Sequence, residues 1–441
     1  MKTPEQLIKK SKHFCILPWI HFHAWPDKKV LPCCVSDSDY PISEIKEDET
    51  ILQMMNSHDY KDMRVKMLND EPWEPCNRCY ELEDLGTWTM RQSQNMVRGI
   101  ENLEVVEDTN EDGSLDDFKL RYMDIRFSNL CNFKCRSCGP ACSNKWGDEK
   151  LKEMDGDKDV FTTAFRIKDT LVSNTDDNNF MEKLKEQLPN VSECYFAGGE
   201  ILVQPQHYEC LDFWVNNDLC DQVHLNYTTN MSKLQHSIKG RGDVNLFDYW
   251  EKFPEIEIWA SIDDIGDRAE IIRSGTNWDR VISNLKSIKK NAPHVKLGFT
   301  PTMSLWNVWN YDKLFETLYQ EGVLDLNIPP RMNILTKPDW AKIENMPEHF
   351  AWPLIEKYEN LTNKFEQIDL VDNDGNPRET QPLRNSFYVL LTALKSAKGN
   401  ATELKEFINQ NQRIDNTRKE DIVDIIPELE ELFQWAMDQD S

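Results

Sequence analysis

No stretch of the 441 residues approaches the roughly 18 consecutive apolar side chains of a membrane-spanning helix, so no membrane partner is expected. The opening segment, MKTPEQLIKKSKHF, lacks an apolar core of signal-peptide length, and the chain is expected to stay in the cytoplasm. Basic side chains are outnumbered by acidic ones. Lys and Arg total 51 against 77 Asp and Glu, a formal charge of −26. Sequence-independent binding to DNA or RNA relies on cations that neutralise phosphates, so nucleic acid is disfavoured as a partner. No period of 20 to 50 residues recurs, which excludes a solenoid. What remains is a globular chain long enough for two or three domains, its core supported by 39% apolar content and 14 Trp. In a reducing compartment its 12 cysteines read as metal ligands or catalytic groups before they read as disulfides.

Three of those cysteines, Cys131, Cys135 and Cys138, are spaced CxxxCxxC directly after the strand-like stretch 122–127. Three thiolates on one tight loop can hold three irons of a cubane iron–sulfur cluster, whereas a saturated cluster usually takes four, so one iron is left open. Short β-rich runs at about 121–127, 193–197, 222–228, 256–262, 295–302 and 324–335 alternate with helical periodicity, clearest at residues 278–291 and 309–320. Such alternation implies a parallel sheet with right-handed crossovers. Polar or glycine-rich motifs follow the strands: Gly198-Gly199-Glu200, Thr229-Asn230, Ser261 and Asp263-Asp264, with Arg273 beyond. Glycine permits close backbone approach to a ligand, and a carboxylate can pair with an ammonium group.

A second group lies ahead of the strands: Cys15, Cys33, Cys34, Cys76 and Cys79. Residues 14–34 read as a hairpin with Cys15 near one end and Cys33-Cys34 near the other, and Cys76-Asn77-Arg78-Cys79 adds a CxxC. Four thiolates from separated pieces can hold a closed cluster or a structural zinc, and spacing does not separate the two. Residues 101–118 are acidic and lack an apolar stripe, so they read as a linker or surface loop. Beyond about residue 340 the chain turns to charged helical segments. His21 and His23 alternate with aromatics on a strand and are expected on a solvated or partly buried face. Cys142 reads as a free thiol; Cys194, Cys210 and Cys220 read as core. Trp306 and Trp309 are open between core and substrate wall.

The CxxxCxxC loop and the motifs at successive strand ends resemble the radical S-adenosylmethionine (radical SAM) superfamily. The resemblance implies a partial (β/α)6 TIM-like barrel over residues 119–338, with chemistry at the C-terminal strand ends. It also implies a [4Fe-4S] cluster on Cys131, Cys135 and Cys138 whose open iron is chelated by S-adenosyl-L-methionine. Gly198, Gly199 and Glu200 would then meet the methionine amine. Thr229, Asn230, Ser261 and Asp263 would lie toward the ribose, Arg273 at the ribose or carboxylate end, and the segment Thr300 to Asn307 on the adenine side. Two positions depart from the family pattern: Ser137 stands where an aromatic or large apolar residue is common, and Ile201 where proline often follows the glutamate.

The N-terminal cysteines resemble the twitch or SPASM auxiliary-cluster domain, with its order CxxPW, hairpin, PC, CxxC, although Lys28 or Lys29 replaces the usual hairpin glycine and the usual position is C-terminal to the barrel. This implies an auxiliary iron–sulfur cluster on Cys15, Cys33, Cys76 and Cys79 within residues 1–100, Cys33 fitting the family position better than Cys34. Residues 339–441 resemble the helical extensions found after such barrels. The implied activity is that of an oxidoreductase or maturase-type enzyme. An electron from a donor such as flavodoxin or ferredoxin cleaves the cofactor, and the resulting 5′-deoxyadenosyl radical removes a hydrogen from a substrate. A peptide or protein substrate is placed first and dehydrogenation of a sugar or other small alcohol second. The reading from another class is a non-catalytic iron–sulfur or zinc protein on a degenerate barrel.

Overall fold

The computed structural model describes residues 3–175, 179–238, 240–365, 370–371 and 377–439. Eight strands form the central sheet: β1 (His21–Ala24), β2 (Lys29–Leu31), β3 (Ser43–Glu44), β4 (Tyr122–Ile125), β5 (Glu193–Phe196), β6 (His224–Thr229), β7 (Ile256–Ala260) and β8 (Lys296–Phe299). Their order across the sheet is β8-β7-β6-β5-β4-β1-β2-β3. Strands β4 to β8 are parallel to their neighbours, as their helical crossovers require. Residues 278–291 form the expected helix, which starts where the Asn277 side chain accepts the Arg280 N–H and buries Val281, Ile282, Leu285 and Ile288 on one face.

The sixth run is shorter than its sequence suggests. Pro329 and Pro330 have no N–H to give to a ladder. Pairing begins only afterwards, where the amides of Arg331, Asn333 and Leu335 donate to the carbonyls of Phe299, Pro301 and Met303 at 2.8, 2.9 and 2.9 Å. The architecture is therefore α/β with a mostly parallel sheet.

The N-terminal hairpin joins that same sheet. Strand β1 lies parallel to β4 in the register His21↔Tyr122 to Ala24↔Ile125, and β2 returns antiparallel. Its turn places Lys28 at φ 72°, in the left-handed region that glycine adopts without cost, so Lys28 occupies the glycine position of the resembled hairpin. Met123 and Ile125 face the apolar cluster outside the sheet together with Phe180 and Leu184. The alternate residues point to the inner face. His21 and His23 are only 1% exposed there, more deeply buried than their alternation with aromatics suggests, because β1 lies inside the sheet, between β2 and β4, and is buried on both faces. Within residues 101–118 the structure places a short helix, Leu103–Glu107, and buries Val106, Leu115 and Phe118.

The C-terminal helices Glu348–Phe365, Gln381–Lys395, Ala401–Arg418 and Glu428–Asp438 follow. Trp306 is fully buried edge-on to Trp340, with Phe407 of the 401–418 helix also against it, so it belongs to the core. Trp309, 8% exposed, likewise packs on Phe350.

Candidate functional sites

The first site lies beyond the C-terminal ends of β4 to β7. After β4 the chain bridges Ser173 at Ser128 and enters the cysteine loop. Cys131 is buried, Cys135 half-buried and Cys138 exposed, so the loop runs from the interior to the surface. Its backbone is fixed on several sides. The Phe133 amide donates to Cys131 Sγ at 3.4 Å, Asn144 Oδ1 accepts the Cys131 N–H at 2.9 Å, and Trp146 Nε1 donates to the Cys135 carbonyl at 2.7 Å. Residues 134–135 pair antiparallel with 273–274, which sets Arg273 opposite Cys135.

The glycine motif after β5 packs against this loop. Gly199 has φ 54°, and a Cβ there would sit 2.4 Å from the Leu130 carbonyl oxygen, so a larger residue would push the two loops apart. A Cβ on Gly198, at φ 86°, would meet the side chain of Arg126. Gln204 ties the loops together, its Nε2 donating to the carbonyls of Gly198 at 2.9 Å and Ser128 at 3.1 Å.

Glu200 is 2% exposed. Its carboxylate accepts the Thr229 hydroxyl at 2.6 Å and the amides of Asn230 at 2.8 Å and Leu202 at 3.1 Å. Burial nevertheless raises its pKa, with those three hydrogen bonds and the more distant Arg273 opposing. A buried carboxylate whose nearest partners are neutral fits an incoming ammonium group. Asn230 also donates to Asn132 Oδ1 at 3.0 Å, linking the β6 end to the cysteine loop.

Asp263 and Arg273 form a forked ion pair at 2.6 and 3.2 Å. Burial works against the Arg273 charge, and Asp263, with Cys135, outweighs it and holds the guanidinium ionised. Ser261 is half-buried at the end of β7, its amide donating to the Thr229 carbonyl at 2.8 Å. Asn307 is fully buried and spends its amide on the fold. Its Nδ2 donates to the carbonyls of Asp263 and Thr302, both at 3.0 Å, and its Oδ1 accepts the Ser304 N–H at 2.8 Å. The structure thus gathers Cys131, Cys135, Cys138, Gly198, Gly199, Glu200, Thr229, Asn230, Asp263 and Arg273 at one end of the sheet, with Asn307 behind Asp263.

The second site is formed by three separated pieces. Cys15, Cys33, Cys76 and Cys79 line one pocket with Leu17, Val35, Tyr80, Met90 and Arg91. Cys34 is not among the lining residues; burial, with Asp124 and Cys33 adding, raises its thiol well above the usual range. Burial pushes the thiols of Cys15 and Cys33 up to about 12, so a metal bound there must displace protons. In the first site burial likewise pushes Cys135 up to about 12. Cys142 is exposed, Cys194 and Cys210 are buried and Cys220 is half-buried.

Several residues that hold the first site carry no sequence signal. Arg136, inside the cysteine loop and fully buried, donates to the Ile271 carbonyl at 3.1 Å, Asn411 Oδ1 at 3.0 Å and Glu420 at 2.8 Å, and it also pairs with Asp415. On the inner face His21, His23 and Asp124 bring possible ligand atoms within 4.8 Å of one another. His23 already uses both ring nitrogens, on the Asp124 carbonyl and the Trp25 indole N–H, and Arg126 lies 2.9 Å from Asp124 Oδ1. Burial would raise the Asp124 carboxyl; Arg126 and His23 outweigh it and hold it well below the usual range. The trio is a charge-compensated buried network.

Among the described residues no helix is long and apolar enough to cross a membrane. No curated protein matches the chain. Among solved structures it is similar to native anSMEcpe with bound AdoMet and Kp18Cys peptide, at 13% identity over 54% of this chain and 60% of that one, TM-score 0.35. It is also similar to a polyhistidine-tagged anSMEcpe with bound AdoMet, at 12% identity over 56% and 60%, TM-score 0.37. The chain therefore spans about three fifths of the length of these structures. Residues 15–80, which hold all four cysteines of the second site, match the family model of SPASM, an iron–sulfur cluster-binding domain.

Proposed function

We propose that this chain is a radical SAM enzyme with a SPASM-type auxiliary cluster, and that it modifies a peptide or protein. The observation that carries the reading is the joining of the three-cysteine loop to Glu200 through Leu130, Gln204 and the Asn132–Asn230 bond. Three thiol donors and a buried carboxylate whose hydrogen-bond partners among the described residues are neutral stand at one end of a parallel sheet, matching a cluster with one open iron and a ligand bearing an amine. Cys131, Cys135 and Cys138 would hold the [4Fe-4S] cluster, and Cys15, Cys33, Cys76 and Cys79 the auxiliary one. When bound, the first cluster and S-adenosyl-L-methionine together supply a 5′-deoxyadenosyl radical that removes hydrogen from the substrate.

The protein's own part is positioning and exclusion of water. Gly198 and Gly199 let the motif pack closely on Arg126 and the cysteine loop, and Glu200 would accept the ligand's ammonium. Asn307 fixes Asp263 so that the Asp263–Arg273 pair keeps one orientation beside Cys135. The inner polar face, with Tyr195 bonded to Thr228 at 2.9 Å, offers groups for substrate. A peptide substrate is favoured because SPASM-type auxiliary clusters accompany peptide modification in the resembled family; dehydrogenation of a small alcohol by the same chemistry is the second reading. Anaerobic reconstitution with iron and sulfide, then dithionite and S-adenosyl-L-methionine, tests the proposal. The enzyme is expected to form 5′-deoxyadenosine, and the Cys135→Ala variant to form none. A fully iron-loaded protein that leaves the cofactor intact would support the non-catalytic reading instead.

A further inference from the structure

One distant helix, Ala401–Arg418, grips the cysteine loop from two sides. On the first side stands Arg136, the residue after Cys135. Its amide donates to the Ile272 carbonyl at 2.8 Å, and its guanidinium reaches Asn411 and Asp415 on the helix and Glu420 just beyond it. Asn411 is itself held: Oδ1 also accepts the Trp306 indole N–H at 2.9 Å, and Nδ2 donates to the Phe407 carbonyl at 2.7 Å. Charge-assisted bonds to fixed acceptors leave the Arg136 side chain a single orientation.

On the second side Arg418 ends the helix. Its side chain is 4% exposed, lies over the Trp146 ring at 4.9 Å from the centroid, and bonds the Glu149 carboxylate at 3.0 to 3.3 Å. Both of those partners return to the loop. The Trp146 indole N–H goes to the Cys135 carbonyl at 2.7 Å, and Glu149 accepts the Lys134 ammonium. Two separate chains of contacts from one helix thus converge on the middle cysteine. A third contact of the same helix does not. Arg413, half exposed, and Thr417 bond Glu153 at 2.7 and 3.1 Å, and the remaining partner of Glu153 among the described residues is Lys150 rather than the loop.

Groups one step removed from a metal ligand fix its orientation, and losing one typically costs roughly 10- to 100-fold in affinity or activity. Resting on the assignment of the cofactor-cleaving cluster to Cys131, Cys135 and Cys138, we infer that Arg136 and Arg418 are positioning residues for that reaction. Through them the helix 401–418 sets where Cys135 holds its iron, so the C-terminal extension is a working part of the first site. Both residues act through Cys135 and need no contact with cofactor or substrate.

The test compares Arg418→Gln, Arg136→Lys and Arg413→Gln in the full chain after anaerobic reconstitution. Electron paramagnetic resonance of the reduced protein, titrated with S-adenosyl-L-methionine, reads the first cluster as the component that responds to the cofactor; unfolding midpoints read the docking of the helix. Arg418→Gln and Arg136→Lys should each weaken cofactor binding and slow 5′-deoxyadenosine formation about tenfold or more, and shift the g-values of the responsive component. Arg413→Gln should keep wild-type values in all three, and Arg418→Lys, which restores a cation to Glu149 and Trp146, should recover most of the loss. Wild-type spectra and cofactor binding in Arg418→Gln would overturn the inference, and would do so even if Arg136→Lys failed to fold. A loss in Arg413→Gln as large as in Arg418→Gln would also overturn it, because the effect would then belong to helix docking alone. A failure of the cluster assignment is distinguishable, since the wild type would show no cofactor-responsive signal before any variant is made.

Discussion

The two cysteine sites stand on one sheet and are built in opposite ways. The three cysteines after β4 come from eight consecutive residues, and their exposure grades from buried Cys131 to exposed Cys138. The four N-terminal cysteines come from three pieces spread over residues 15–79 and meet in one pocket. A short loop with an exposed end leaves room for an exchangeable ligand; a closed set gathered from distant pieces ties the chain together. Under the proposed function, the difference would suit the first site to turnover and the second to holding separate segments together.

The sharpest break in this contrast comes from removing one ligand on each side. Cys135→Ala should lower 5′-deoxyadenosine formation by at least about 100-fold while the auxiliary iron, ~4 per chain, remains by iron analysis. Cys79→Ala should act on stability first, lowering the anaerobic unfolding midpoint by about 5–10 °C, more than Cys135→Ala does, because metal binding that joins separate segments is folding free energy. Calorimetry of the two variants side by side checks the order, and the reverse order would undo the contrast.

Glu200→Gln sharpens the turnover side. Loss of one charge-assisted contact should weaken S-adenosyl-L-methionine binding roughly tenfold, with the iron content unchanged. Titration of the reconstituted protein with the cofactor, followed by electron paramagnetic resonance, measures it.

The smallest effect concerns Asp264, which lies beside the first site and takes no part in either cluster. Burial raises its pKa from 3.8 to about 6, against hydrogen bonds from Asn310 and the Ile265 amide. The folded state therefore holds a proton that the unfolded chain has released. This group's contribution to stability is greatest below about pH 4 and is lost as pH rises through 6, by about 3 kcal/mol. Asp264→Asn should flatten that pH dependence and raise the midpoint at pH 7.5 by a few degrees.

Much of the first site is legible in the sequence because its determinants are local. The CxxxCxxC spacing, the Gly-Gly-Glu run and the helix 278–291 each depend on neighbours in sequence, and the structure gathers the predicted strand-end residues at one end of the sheet. What escapes depends on contacts between distant segments. Nothing in residues 14–34 says that β1 will lie parallel to β4, whose paired residues are 101 positions away, and that pairing is what buries His21 and His23. The choice between Cys33 and Cys34 turns on which of two adjacent side chains faces the pocket, a matter of backbone direction that composition does not encode. The apolar pattern of 324–335 starts the sixth strand too early because it says little about the donors lost at Pro329 and Pro330.

Arg136 makes the cysteine loop depend on the helix at Ala401–Arg418 and on Glu420, its carboxylate partners standing 279 and 284 residues downstream. At ribosomal speeds that interval takes roughly 15 to 55 seconds. Throughout it a nascent chain carries the three thiols without the clasp that shapes their loop.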